Sequence, residues 1–563
     1  MRCGDYFTKR CTLGTIGLTL AGLGFMMAMF WADFFTLLLG KELALRSNGR
    51  TYDAWKQPPI PLNLDIYMYN WTNPHEIKNK SVKPRFQELG PYRFIDKPDK
   101  VDIVFHPENS TVSYRRKNDF YFDAEGSKGS LNDQISTLNV VALSAGAKGK
   151  WWSSLLRTTI SIGLNAFSQP ISVQKTADEL LFTGYEDDMI DVAREMPLFG
   201  DDVEVPFDRF GWFYTRNGSA DLMGHFNVYT GEEDIGNVGQ MYTWNYKTHS
   251  GFFPDQCGMI NGSGGEFYPP KLKIGGSISL FTPDMCRSLT LDYVETTTVY
   301  GIEGYKYSGG LRSVDNGTQY PENRCFCGGT KDSTCVPSGV MNISSCRFGT
   351  PVFMSYPHFF NADPFYINQV EGITPPDPEK HEFYIILEPT TGVALEVAAR
   401  FQLNILIEEF PGISLYRGVR KSYLPLLWFE QKVKIPEEVA HELKFIPTVV
   451  MIGHIIAGVI FAIGLIMAFW VPINNCIRRC HGELKCNNKT PKPKSTKLLP
   501  LVVKPSPIAS KNDNQAKDSN HKYPEVSPLL QKKEKETVTN PAIVLSSSNE
   551  EKEKLRLNSK ENV

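Results

Sequence analysis

Two long apolar segments bracket this chain, residues 13–32 and 449–471, with residues 33–448 between them. Each has roughly the 20 residues an α-helix needs to cross the hydrocarbon core of a bilayer. Two spans put both termini on one side of the membrane and the middle of the chain on the other. That layout belongs to a receptor or transporter of something outside. Arg2, Lys9 and Arg10 precede the first span, as in a secretory signal. Its apolar run is too long for a signal core, however, and no A-x-A-like cleavage site follows, so a retained anchor is expected. The second span contains one ionisable residue, His454. Small residues recur four apart at Gly17 and Ala21, Gly24 and Ala28, Gly453 and Ala457, and Gly464 and Ala468. Such spacing lets membrane helices pack closely. Glycine and alanine are common in these helices anyway, and composition alone accounts for the spacing.

Charge orients the hairpin. Lys41, Arg46 and Arg50 match Arg2, Lys9 and Arg10 across the first span, so that end decides nothing. At the second span, Arg478, Arg479, Lys485, Lys489 and Lys492 outnumber Lys432, Lys434 and Lys444. The excess places residues 472–563, and with them residues 1–12, in the cytosol. The middle segment carries N-x-S/T acceptors at Asn70, Asn79, Asn109, Asn217, Asn261, Asn316 and Asn342, which fits a glycosylated ectodomain.

The cysteines divide along the same line. Cys257, Cys286, Cys325, Cys327, Cys335 and Cys346 cluster in the middle segment and read as three disulfides in an oxidising compartment. They lack the paired C-x2-C knuckles of structural zinc, and no metal is expected. Six cysteines by themselves allow fifteen pairings. Cys3, Cys11, Cys476, Cys480 and Cys486 lie beside a span on the cytosolic side. Of these, Cys3, Cys11, Cys476 and Cys480 are candidates for S-palmitoylation.

Within the ectodomain, Leu62, Leu64, Ile66 and Met68 alternate with polar residues, as do Phe401, Leu403, Ile405 and Ile407. Phe383–Leu387 and a P-T-T-G turn at Pro389–Gly392 precede the second set. These are expected to be half-buried strands in hairpins. Between Ala142 and Phe167 the period changes, with Trp151, Trp152, Leu155, Leu156, Ile160, Leu164 and Phe167 at helical spacing. Thr176 and Glu179 form a capping box that predicts a second helix. The ectodomain therefore reads as mostly antiparallel β with a helical insertion at 142–196.

At this point the chain resembles the class B scavenger receptor family, which includes the fatty-acid translocase, the high-density-lipoprotein receptor and lysosomal integral membrane protein type two. The stretches that carry the resemblance are Pro58–Pro74 (PPIPLNLDIYMYNWTNP), Glu88–Phe94 (ELGPYRF), Asp178–Leu181 (DELL), Cys257–Gly262 (CGMING), Cys286–Ser288 (CRS) and Phe353–Pro364 (FMSYPHFFNADP). Within the family the chain is most similar to insect croquemort-like and santa-maria-like receptors. The resemblance implies a two-span α+β protein with a barrel-like antiparallel ectodomain, a membrane-distal helical bundle and an internal lipid-wide tunnel. It also implies the pairings Cys257–Cys325, Cys286–Cys346 and Cys327–Cys335, and a docking site on the tip helices, here about 142–182. Fatty-acid selectivity does not carry over, because Asn165–Gln169 (NAFSQ) stands where the translocase has its lysine cluster. Residues 131–180 contain no histidine, so the lysosomal relative's acid switch has no counterpart there.

The residues supply a physical case for ligand capture. Releasing a lipid into water costs about 0.8 kcal/mol per CH2, so a passage lined by inward strand faces would spare that step. Docking a lipoprotein or an anionic lipid calls for fixed positive charge beside apolar surface. Lys148, Lys150, Arg157 and Lys175, beside Trp151 and Trp152, are the expected ligand-binding set. Catalytic patterns are missing. Asn261–Glu266 (NGSGGE) is not G-x-S-x-G, and His441-Glu442 lacks the second histidine of H-E-x-x-H. An enzyme is therefore not expected, nor a cofactor. The tail is rich in Lys, Glu, Ser, Asn and Pro and is expected to be disordered. In it, Glu525, Leu529 and Leu530 have the spacing of an acidic dileucine sorting signal, Tyr523–Val526 (YPEV) overlaps as a tyrosine-based signal, and Glu561–Val563 suits a PDZ groove.

The expected function is a cell-surface receptor that binds lipoproteins, lipids, sterols or carotenoids and mediates their uptake. A phagocytic or adhesive receptor and a lysosomal sorting receptor for a protein cargo are the alternatives. Expected partners are lipoproteins or lipophilic small molecules, membrane lipids and, through the tail, clathrin adaptors, with no nucleic acid.

Overall fold

The computed structural model describes residues 3–58, 62–150, 152–195, 207–327 and 335–486. Helix α1 (Cys3–Leu43) leads through the short α2 (Arg50–Lys56) into a meander of β1 (Leu62–Trp71), β2 (Phe86–His106) and β3 (Thr111–Phe122). The tip insertion follows as β4 (Gln134–Leu138), α3 (Val140–Gly149), α4 (Ser154–Ala166), β5 (Ser172–Thr176) and α5 (Asp188–Glu195). The chain returns as β6 (His225–Tyr229), β7 (Met241–Trp244), β8 (Ser277–Thr282), β9 (Arg287–Val299) and β10 (Ile302–Ser308). Next come β11 (Met341–Asn342), β12 (Val352–Ser355) and the one-turn helices α6 (Pro364–Ile367) and α7 (Pro378–His381). Strands β13 (Tyr384–Leu387), β14 (Ala394–Ile407) and β15 (Ser422–Lys434) close the ectodomain before α8 (Glu437–Cys486).

Thirteen strands make one antiparallel sheet in the order β7-β6-β3-β2-β1-β15-β14-β13-β10-β9-β8, with β12 also on β14 and β11 on β12. The chain's first strand thus pairs with its last, Ile66 facing Phe429. The edges β7 and β8 are stitched together by the N-G-S-G stretch. Met241 N–H donates to Gly262 O and Gly264 N–H to Gly239 O on one side, at 2.8 and 2.9 Å. Ser263 N–H donates to Ser279 O and Phe281 N–H to Ser263 O on the other, both at 2.8 Å. Gly262 has φ +87°, and an added Cβ would strike the Ser279 backbone, so only glycine fits this seam. Closing a sheet in this way removes its unpaired edges.

Alternation gives the sheet an apolar face through Leu64, Ile66, Met68, Phe94, Leu427, Phe429, Phe401 and Leu403. The opposite face of β1 is covered as well. Tyr69 and Trp71 are buried there, Tyr69 against Gln402 and the His358 ring and Trp71 against Phe86. A polar network makes that cover possible. Glu88 accepts from Trp428 Nε1 at 2.8 Å and pairs with His358 Nε2 at 2.6 Å, while His358 stacks on His381 with centroids 4.1 Å apart. Burial opposes the charge on Glu88, but His358 and Trp428 outweigh it and hold its carboxyl below the usual range. Burial, helped by the nearby His358 charge, pushes His381 down to about 4. A second buried hub ties α2 to the barrel. Glu266 takes Lys100 at 3.0 Å, Arg116 at 3.1 Å, and hydrogen bonds from Trp55 Nε1 and Tyr114 OH at 3.2 Å each.

Two expectations on helices change. The apolar run at 142–167 is two helices, interrupted between Gly149 and Ser154, with Ser153 capping the second through Leu156 N–H at 3.4 Å. The Thr176–Glu179 capping box forms, its hydroxyl donating to Glu179 Oε2 at 2.8 Å. It opens only a five-residue π-helical turn, Glu179–Thr183, which Gly184 ends with φ +71°.

The apolar stretches of α1 and α8, Thr12–Leu43 and Glu437–Trp470, are long enough to cross a membrane. The small residues within them are not incidental, contrary to the compositional reading. A Cβ on Gly17 would come within 2.9 Å of Gly464 O, and one on Gly24 within 3.0 Å of Ala457 O. An added Cβ on Gly464 would meet the Ala21 backbone, and one on Gly453 the Trp31 ring. Ala21 and Ala457 are buried in the same interface. Close backbone approach through small residues is how helices associate in a medium with no hydrophobic drive of its own.

Gly464→Leu should therefore lower the apparent melting temperature of the full chain in detergent, overpacking of this kind costing about 1–3 kcal/mol. Gly22 and Gly458 face open space, so Gly22→Leu and Gly458→Leu are controls that should leave it unchanged. Acid should also destabilise the ectodomain. Because His381 binds a proton less readily folded than unfolded, stability present near pH 7 is lost as the pH falls toward 4, on the order of 2 kcal/mol by pH 5. His381→Gln should flatten that part of the melting-temperature profile.

Candidate ligand-docking site at the helical tip

The tip is built on a helix made of small residues. In α3 the buried positions are Val140, Ala142, Leu143, Ala145, Gly146 and Gly149. Gly146 lets the helix settle on Phe410 and Tyr416, where a Cβ would come within 2.9 and 3.1 Å of the rings. Asn139 caps α3 by accepting from Ala142 N–H at 3.0 Å and donates to Gln169 at 2.7 Å. Gln169 in turn donates to Asp187 at 3.1 Å, which joins the ends of α3, α4 and α5. Helix α4 rests on the 410–416 loop through Ile160 and Leu164. Ser161 and Asn165 bond to the Ser414 hydroxyl at 3.0 and 2.9 Å.

The opposite side of α4 is open and apolar. Leu155 is 77 % exposed and Ile162 62 %, seven residues apart on one face, with Phe167 42 % exposed just past the helix end. Thr159, also exposed, lies between them, its hydroxyl donating to Leu155 O at 3.2 Å. Leu155 and Phe167 belong to the apolar series read at helical spacing. Only the Ile160 and Leu164 side of that series packs inward, because the break after Gly149 resets the helical phase.

The expected basic set is only partly assembled. Lys148, Lys150 and Arg157 gather around the 408–412 and 347–350 loops. Lys150 reaches Glu408 at 2.5 Å, Lys148 lies across Gly349, and Arg157 lies over Gly412 while donating to Ser154 at 3.1 Å. Lys421 also approaches Glu408, at 3.4 Å. Burial opposes ionisation of Glu408, yet Lys150 and Lys421 outweigh it and hold its carboxyl below the usual range. Lys150 is thus partly spent on the scaffold. Lys175 is on β5 paired with β4, its ammonium 4.7 Å from the Tyr185 ring. Trp152 is half-buried against the main core, and Trp151 lies outside the described residues.

The remaining singled-out residues fall as follows. Three disulfides, Cys257–Cys325, Cys286–Cys346 and Cys327–Cys335, tie the 255–346 loops to β8 and β9. Asn79, Asn217, Asn261 and Asn342 are exposed, whereas Asn70, Asn109 and Asn316 are half-buried, Asn316 donating to Val336 O at 2.8 Å. Cys3 and Cys11 precede the apolar stretch of α1, and Cys476 and Cys480 follow that of α8. Glu525, Leu529 and Leu530 lie outside the described residues. Two surface recesses, of about 250 and 480 Å3, are lined by polar residues such as Asp65, Arg93 and Glu430 in the first and Asp315, Asn316 and Asp363 in the second. Neither has the apolar walls a lipid chain requires.

The sequence pattern of the CD36 family matches residues 13–474. Protein peste of Drosophila melanogaster is 43% identical over 502 residues, covering 88% of this chain and 87% of that protein. Scavenger receptor class B member 1 of Rattus norvegicus is 32% identical over 420 residues, covering 74% and 80%. Lysosome membrane protein 2 of Homo sapiens is 31% identical over 460 residues, covering 81% and 92%. With two membrane-crossing helices around a barrel-like antiparallel ectodomain, the chain is a membrane protein of the CD36 family, a class B scavenger receptor.

Proposed function

We propose that this receptor captures lipoproteins or lipophilic molecules at its helical tip and mediates their uptake, either along the inner face of the barrel or by endocytosis. The observation that carries the reading is the open apolar side of α4, Leu155 and Ile162, on a tip that also carries Arg157 and Lys148 where its helices meet the 408–412 and 347–350 loops. Apolar surface next to fixed positive charge suits a particle with a lipid surface and anionic headgroups, which gains by burying its chains and pairing its phosphates at once.

Below the tip, the apolar face of the sheet supports a delivery route. Val397, Ala399, Leu403, Phe429, Tyr293 and Tyr305 are only half-buried, although Leu291, Leu395, Phe401 and Leu427, two residues along the same strands, are buried. Such residues border space that a lipid chain would fill without meeting bulk water. In this reading both termini are cytosolic, Cys3, Cys11, Cys476 and Cys480 are acylated at the inner membrane surface, and glycans occupy the exposed sequons. A lysosomal sorting role is the second reading, favoured by the likeness to Lysosome membrane protein 2. It would use Glu525, Leu529 and Leu530.

Leu155→Glu with Ile162→Glu should cut uptake of a fluorescent sterol ester or a carotenoid by transfected cells about tenfold or more, since two apolar anchors are lost. Surface level should stay normal, because both side chains are exposed. Wild-type uptake no greater than in untransfected cells, together with raised binding of apoptotic cells, would reverse the assignment. Leu529→Ala with Leu530→Ala should raise the surface level and reduce the lysosomal pool. If neither changes, the sorting reading fails.

A further inference from the structure

Strands β9 and β10 are joined by a two-residue turn, Tyr300–Gly301, with φ +50° and +78°, the left-handed pair of a tight hairpin. The base of this hairpin is bolted to the membrane helix. Val299 and Ile302 share a buried cluster with Leu395, Ile435 and Ala440, and Leu443 packs against it. Ala440 and Leu443 belong to the first turns of α8, so the height of the turn is set by the helix that crosses the bilayer.

That height is the headgroup layer. Lys444 lies five residues before the apolar segment that begins at Val449, roughly 7 Å along a helix. The polar zone of a bilayer is about 5–8 Å deep on each side. A Cβ on Gly301 would sit 3.8 Å from Lys444 Nζ. Lys434 holds its ammonium 4.2 Å from the Tyr300 ring centroid, and Tyr300 is 38 % exposed. Neither lysine forms an ion pair among the described residues. Phe445, next to Lys444, is also exposed. Where α1 leaves the membrane the surroundings differ: Gly40 packs on Ile235, Arg46 pairs with Glu232 at 2.8 Å, and Glu233 and Asp234 follow. Lys434 and Lys444 are thus on the β9–β10 side, on elements that also carry Glu303 in β10 and Glu437, Glu438 and Glu442 in the first turns of α8.

We propose that the Tyr300–Gly301 turn, with Lys434 and Lys444, is a lipid-headgroup contact. The two ammonium groups take phosphates of the leaflet that α8 enters, and the Tyr300 ring seats at the interface, as aromatic residues flanking membrane spans do. The contact fixes the height and tilt of the barrel over the bilayer. It adds a built docking element to the two anchors and does not depend on which ligand the tip binds.

The test uses the full chain in a non-ionic maltoside, in nanodiscs of phosphatidylcholine, and in nanodiscs containing phosphatidylglycerol. Hydrogen–deuterium exchange is followed at residues 297–304. Exchange at the turn should slow from detergent to nanodiscs and slow further with the anionic lipid, by about fivefold for each lysine engaged. Lys434→Glu with Lys444→Glu should abolish the lipid-dependent slowing while peptides of the tip and of β14 exchange as before. Lys434→Gln with Lys444→Gln should keep the fold and lose most of the anionic increment. Equal exchange in all three media overturns the proposal, as does slowing that the double variant retains. Protection already complete in detergent would assign the face to a second copy of the chain and overturn it too.

Discussion

The pairing of β1 with β15 is the constraint on which the rest of the molecule depends. Because the first strand of the ectodomain lies beside the last, the chain enters and leaves this large domain at adjacent points. Helices α1 and α8 can then emerge side by side, and the contacts of Gly17, Gly24, Ala457 and Gly464 become geometrically possible. A sheet whose terminal strands lay far apart would need long linkers to bring the spans together. Here the linkers are short, and α2 is tied to the barrel through Trp55, Lys100 and Glu266.

The barrel is completed by backbone, not by a further strand. The N-G-S-G stretch lends its amides and carbonyls to both edges, and Gly262 is required because the neighbouring strand leaves no room for a Cβ. Around the barrel, two buried carboxylates are each held by several partners. Glu266 has two cations and two neutral donors, and Glu88 has His358 and Trp428. Removing one member of such a group leaves a charge stranded in a poor solvent, which makes these hubs firm fixing points for the loops they hold.

The tip follows from the same economy of space. Small residues on α3 let it sink onto Phe410 and Tyr416, which leaves α4 as the outermost layer, with one side committed to packing and the other open. An open apolar side is the feature that distinguishes the tip. At the other end, cation and aromatic residues meet the membrane surface. The ectodomain is thus bracketed by two surfaces suited to lipid, one facing outward and one facing the bilayer.

Much of this was legible in the sequence because it rests on local pattern. Two apolar runs of membrane length, the alternation at Leu62–Met68 and Phe401–Ile407, and the clustering of six cysteines beside sequons in the middle segment each follow from the solvent a segment must face. The tip was only partly legible. The helical period around Leu155 and Ile160 was visible, but which side turned inward depended on a break at Gly149 and on the rings of Phe410 and Tyr416, some 250 positions away. Lys175 was grouped with the helix cations because it is near them in sequence, whereas it is held on a strand, β5, paired with β4. The spacing of small residues in the two spans was ambiguous for a related reason: glycine marks a contact only when a partner backbone is there to fill the space. What the sequence by itself determined is which segments meet lipid, water or core, since burial free energy acts residue by residue. Which segments meet one another was decided by the tertiary structure alone. Pairing of distant strands, closure of the sheet and apposition of the spans depend on hydrogen bonds and steric fit between groups that no local pattern brings together.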